Sequence, residues 1–94
     1  MFEFSDRVAV ITGGASGIGL GLASKLVEEG MKIVLADIES AALERACESL
    51  RSSGGDVLGV QCDVSDKAQV EALAITAYEH FGNVHFLANN AGVV

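Results

Sequence analysis

"TGGASGIG", residues 12–19, sets four glycines in eight positions directly behind the apolar run "VAVI" at residues 8–11. Glycine weakens the interior of strands and helices alike, so a cluster of it between two elements marks a point where something approaches the backbone closely. The run before it is short, apolar and β-branched, as a strand buried on both faces requires, and residues 7–12 read as that strand. Behind the glycines, Ile18, Leu22 and Leu26, with Ala23 and Val27 beside them, recur at helical spacing, and Gly30 stands where a helix C-cap belongs.

The same alternation repeats twice. "KIVLAD", residues 32–37, is a second strand, and Ser40 opens a helical segment whose Leu43, Ala46, Cys47 and Leu50 form one stripe before Gly54 and Gly55. "DVLGVQC", residues 56–62, is a third strand, interrupted by Gly59, where a bulge or a close backbone approach is expected. Ser65 or Asp66 caps the third helix, with Gln69 three positions after Asp66; Val70, Leu73, Ala74, Ala77, Tyr78 and Phe81 line one face until Gly82. On that reading Tyr78 packs in the core. "VHFLA", residues 84–88, is a fourth strand.

Strands alternating with helices predict an α/β fold, a Rossmann-type doubly wound parallel sheet of four strands with three helices. Right-handed crossovers put the first two helices on one face and the third on the other, which gives the strand order 3-2-1-4. The reversal then falls between strands one and four, and a ligand crevice is expected over residues 12–19. With no proline, no low-complexity tract and no linker, residues 1–94 read as a single domain.

Thirteen acidic residues against six basic ones leave a formal net charge of -7. The six bases are scattered, so neither nucleic acid nor an anionic membrane surface is an expected partner. A phosphorylated cofactor stays compatible with that charge, because helix N-termini and backbone N–H groups bind phosphate without Lys or Arg. Cys47 and Cys62 form no CxxC, and His80 and His85 lie well away from them in sequence, so no metal site is expected and the cysteines read as buried free thiols. Without a signal-like N-terminus or an apolar run of about 18 residues, the chain is expected to be cytoplasmic.

Position sharpens the glycine cluster into a ligand site. Gly13 follows a strand, Gly17 and Gly19 open a helix, and Asp37 ends the next strand, where a carboxylate accepts hydrogen bonds from an adenosine ribose diol. The spacing is TGxxxGxG, one residue wider in the first gap than GxGxxG. Together with "CDVS" at residues 62–65 and "NNAG" at residues 89–92, it resembles the classical short-chain dehydrogenase/reductase family, from about Ser5 onward.

The resemblance implies an N-terminal NAD(P)-binding portion of an oxidoreductase that moves hydride between nicotinamide and an alcohol or carbonyl. On it, Gly13, Gly17 and Gly19 let the backbone approach the pyrophosphate, Ser16 and Ile18 line that loop, and Asp37 holds the adenosine ribose. Asp63 and Val64 match the pair that contacts adenine. Asn90, Ala91 and Gly92 meet the nicotinamide-side ribose and the sheet edge, and Asn89 ties strands together. Family members that use NADP carry a base where this chain has Ser16, Ile38 and Glu39, so NAD is the expected cofactor, preferred over NADP.

The family's tyrosine and lysine, in a YxxxK motif downstream of NNAG, have no counterpart here. Tyr78 is followed four residues later by Gly82 and precedes NNAG. No catalytic residue is assigned, and the chain alone is expected to be inactive. Its fourth strand would be an apolar edge covered by a homo-oligomer partner or by a missing C-terminal half. A non-catalytic nucleotide-binding or dimerising module is the alternative. A methyltransferase-like half is a third reading, opposed by NNAG and by Val10 and Ile11 where an acid would precede the glycines.

Overall fold

The computed structural model describes residues 6–15, 17–84 and 86–89. Strand β1 (Val8–Thr12) is buried along its whole length, which explains why no polar residue interrupts it before Thr12. It is followed by α1 (Gly17–Glu28), β2 (Lys32–Asp37), α2 (Ser40–Ser52), β3 (Val57–Gln61), α3 (Lys67–Phe81) and β4 (Phe86–Asn89). The strands are parallel and lie in the spatial order β3-β2-β1-β4. β1 pairs with β2 from Val8↔Lys32 to Thr12↔Ala36, and with β4 from Ala9↔Phe86 to Thr12↔Asn89.

Period-two alternation divides the strands between two cores. Ala9, Ile11, Ile33, Leu35 and Val57 face Ala23 and Leu26 of α1 and Leu43, Ala46, Cys47 and Leu50 of α2. Val10, Val34 and Ala36 face the other way, onto Leu73 and Ala77 of α3 and onto Cys62. A fully buried Ile, Leu or Val contributes about 1.5–3 kcal/mol relative to exposure, so β1 and β2, the two central strands, carry most of this core.

Several local expectations change. Gly59 makes no bulge, since the β2–β3 register runs unbroken through Leu35↔Gly59. It marks a close approach instead: a Cβ there would stand 2.7 Å from the Cys47 sulfur. The fourth strand starts at Phe86, two residues later than its apolar run. Asn83 explains part of the delay, because its Oδ1 accepts the N–H of Val84 at 2.8 Å and takes that donor out of the ladder.

Helix α3 buries less than its pattern promises. Asp66 caps it by accepting from the N–H groups of Ala68 and Gln69, and Gly82 ends it in the left-handed conformation at φ 81°. Only Leu73 and Ala77 are buried, however, while Tyr78 is 62% exposed and is no core residue. The described helices put α3 alone on its face of the sheet, so the Val70 flank looks across an open groove of about 300 Å³ toward Val10, Val64 and Val84. Ile18, counted in the α1 stripe, is likewise 79% exposed, in the first turn of that helix.

Candidate functional site

Parallel strands bring the C-terminal ends of β1, β2 and β3 to one edge of the sheet, and the loops leaving them meet there. Gly13 turns the chain out of β1 at φ 65°, a conformation that L side chains rarely adopt. The loop is then fastened onto the end of β2: the Gly14 N–H donates to the Ala36 carbonyl at 3.0 Å, and the Ala15 N–H donates to Asp37 Oδ2 at 3.0 Å. The other carboxylate oxygen, Asp37 Oδ1, accepts the Glu39 N–H at 3.0 Å.

The two glycines at the start of α1 differ physically. A Cβ on Gly19 would overlap the Gly13 carbonyl oxygen and stand 2.9 Å from Gly14 Cα, so Gly19 seats the helix on the loop. A Cβ on Gly17 would meet nothing within 4 Å. Gly17 is exposed and opens onto space above the helix N-terminus, where first-turn N–H groups and the helix dipole favour an anion. Gly14, assigned no role from the sequence, is constrained as well, though by a side chain and not by backbone: its Cβ would run into Leu35. Its signal was present in the doubled glycine, but its cause lies in a side chain from another strand.

After β3, a compact network fixes Asp63. Its Oδ1 accepts from the Ser65 N–H at 2.9 Å and the Ser65 hydroxyl at 2.7 Å, and its own N–H donates to Gln69 Oε1 at 2.9 Å. Gln69 Nε2 in turn donates to Asp66 Oδ2 at 3.1 Å, joining this loop to the cap of α3. The two Ser65 bonds hold the Asp63 carboxyl below the usual carboxylate range. A depressed folded-state pKa contributes stability that is present above the unfolded value and is lost as pH falls through the folded one. Ser65→Ala, which removes the hydroxyl and keeps the N–H, is therefore expected to raise the Asp63 pKa, read by NMR titration of its carboxyl carbon; an unmoved titration would mean that the hydroxyl bond is absent in solution.

Gly13, Asp37, Ile38, Cys62, Asp63 and Val64 line one cavity of about 260 Å³. The structure thus brings Gly13, Asp37, Asp63 and Val64 together and places Gly17, Ile18 and Gly19 in the helical turn beside them. Ser16, Asn90, Ala91 and Gly92 lie outside the described residues. Asn89 is the last residue of β4, opposite Thr12. Burial, then the charges of Asp63 and Asp66, push the Cys62 thiol up, which disfavours the thiolate. Cys47 is raised by burial, with Arg51 opposing. Among the described residues no group of His, Cys, Asp or Glu could hold a metal ion, and exposed His80 packs edge-on against Phe81.

The described site combines open space over a helix N-terminus, a carboxylate on the adjoining loop, and a cavity with apolar and acidic lining. The parallel sheet, the glycine turn behind β1 and the acid ending β2 define a Rossmann-like α/β fold. The chain belongs to the short chain dehydrogenase family, whose model matches residues 7–94. It is 43% identical over 88 residues to 1-deoxy-11-beta-hydroxypentalenate dehydrogenase of Streptomyces arenae, a match covering 94% of this chain and 31% of that protein.

Among solved structures, it resembles a short chain dehydrogenase/reductase from Burkholderia phymatum in complex with NAD. The TM-score is 0.90 at 54% identity, covering 93% of this chain and 31% of that one. It also resembles NAD+-bound xylitol dehydrogenase, with a TM-score of 0.93 at 37% identity over 98% of this chain and 35% of that one. The chain thus spans about a third of the length of the relatives it matches. No described helix is long and apolar enough to cross a membrane.

Proposed function

We propose that this chain is the NAD-binding part of an oxidoreductase that transfers hydride between nicotinamide and an alcohol or carbonyl substrate. The observation that carries the reading is the joining of the glycine loop to Asp37, next to the cavity that Asp63 and Val64 share. In it, Gly13, Gly17 and Gly19 give the pyrophosphate access to the backbone, with Ser16 and Ile18 along the loop, and Asp37 accepts from the adenosine ribose. Asp63 and Val64 contact the adenine. Asn90, Ala91 and Gly92 serve the nicotinamide-side ribose. When bound, the nicotinamide supplies the hydride chemistry; the residues here bind and orient it.

NAD is preferred over NADP because a 2′-phosphate would stand against the Asp37 carboxylate, with Ser16, Ile38 and Glu39 offering no positive charge in return. NADH is expected to bind the chain at least about tenfold more tightly than NADPH, which corresponds to roughly 1.4 kcal/mol. Calorimetric titration at moderate salt tests this, and comparable affinities would overturn the preference. Without a YxxxK motif, the chain alone binds the cofactor and turns over no substrate. Substrate-dependent oxidation of NADH by it would overturn that statement. In the whole protein the sheet continues past β4, or a second copy covers that edge.

A further inference from the structure

We infer that Asp37, besides meeting the ribose as proposed above, is the positioning residue of the glycine loop, so that one carboxylate joins the diol and pyrophosphate subsites. The inference rests on that dinucleotide reading. Its basis is a pair of hydrogen bonds that belong to the protein itself: Ala15 N–H to Oδ2 and Glu39 N–H to Oδ1, each at 3.0 Å. The first spans 22 residues and ties the loop after β1 to the end of β2 by a side chain, beside the backbone bond from Gly14 to Ala36.

Acceptor capacity explains why an acid fits and an amide does not. An ionised carboxylate offers about four lone-pair sites on two oxygens. Two are used by the Ala15 and Glu39 N–H groups, and two remain, one on each oxygen, for the two hydroxyls of a ribose diol. The carboxylate can hold loop and ligand at once. Asparagine has one acceptor oxygen, so with Glu39 satisfied its NH2 group would face the Ala15 N–H, donor against donor. The loop would lose its side-chain tether even with no diol in the site.

That separates this inference from a role in ribose binding alone. Asp37→Asn is expected to weaken binding of an NADH analogue lacking the adenosine 2′- and 3′-hydroxyls by about tenfold, the scale of one hydrogen bond to a charged group. If Asp37 acted only through the diol, the substitution would leave that analogue's affinity unchanged, and this result would overturn the inference. The full chain is titrated calorimetrically with NADH and with the analogue, before and after the substitution.

A readout independent of ligand comes from amide exchange in the unliganded chain. The Ala15 N–H is expected to exchange at least about tenfold faster in the Asp37→Asn variant, while the Gly14 N–H, held by a backbone carbonyl, keeps its protection. Equal exchange at Ala15 would overturn the tether. Should Asp37→Asn fail to fold, an amide-to-ester replacement at Ala15 deletes the same donor with Asp37 intact, and is expected to weaken NADH and the analogue equally; no loss for either would overturn the inference. Failure of the unmodified chain to bind NADH would refute the dinucleotide reading, and the exchange rates would still decide the tether.

Discussion

Gly19→Ala is expected to destabilise the chain by about 2–4 kcal/mol, whereas Gly17→Ala, two residues earlier in the same turn, leaves stability within about 0.5 kcal/mol or raises it. The two glycines look alike in sequence, and the same methyl group is added to each. At Gly19 that methyl meets the carbonyl oxygen of Gly13 and, at 2.9 Å, the Cα of Gly14, and neither is the far end of a side chain that could swing away. Either α1 must lift off the loop or the loop must leave β2, breaking the Gly14–Ala36 and Ala15–Asp37 bonds. At Gly17 the methyl enters open space, and alanine is the better helix former.

Binding should reverse the contrast. The open space over Gly17 is where the proposed reading puts the cofactor phosphates, so Gly17→Ala is expected to lower NADH affinity by more than about tenfold in a protein of unchanged thermal midpoint. Urea denaturation and calorimetric titration of the two variants measure both effects. A Gly19→Ala chain as stable as the unmodified one would contradict the packing of α1 on the loop. Undiminished NADH binding by Gly17→Ala would move the phosphates elsewhere.

How far the sequence foretold this site varied with the range of the interactions involved. β2 was legible to the residue, because its ends are marked by Lys32 and Asp37 on either side of an unbroken apolar run. The α2 stripe was legible too, since Leu43, Ala46, Cys47 and Leu50 meet strands already covered by their own helix pair. Helix α3 has an equally regular stripe, yet Val70 and Tyr78 stay exposed. Periodicity says which residues share a face, but how much of that face is covered depends on neighbouring elements.

The site divides in the same way. Gly13, Gly17, Gly19 and Asp37 could be named from spacing along the chain. The bond from Ala15 to Asp37 could not, since it spans 22 residues and uses a backbone donor that no residue type announces. Gln69 was legible only as a candidate for the capping region, although it also accepts the Asp63 N–H. Gly14 was visible as one of a doubled pair, but the cause of its constraint was not, for a third reason. Its constraint comes from Leu35, which reaches it only because β1 and β2 pair in register.

That contact makes Gly14→Ala and Leu35→Ala a pair whose effects should not add. Leu35 is fully buried, so its truncation removes apolar contact and leaves a cavity, at an expected cost of about 2–5 kcal/mol. Gly14→Ala overfills the same place: its Cβ would stand 2.5 Å from Leu35 Cγ and 3.3 Å from the Ile11 carbonyl oxygen, at an expected cost of about 1–3 kcal/mol. Against a total stability of about 5–15 kcal/mol for a domain, either change is large. In the double variant the new methyl occupies space that Leu35 has vacated, so the loss should fall short of the sum by about 0.5–3 kcal/mol. Simple additivity in urea denaturation would instead mean that Gly14→Ala acts through the Ile11 carbonyl, forcing the loop off the sheet whatever the size of residue 35. NADH affinity then distinguishes the routes, because a repacked double variant keeps the loop on β2 and binds, whereas a displaced loop carries the Ala15 N–H away from Asp37 and does not.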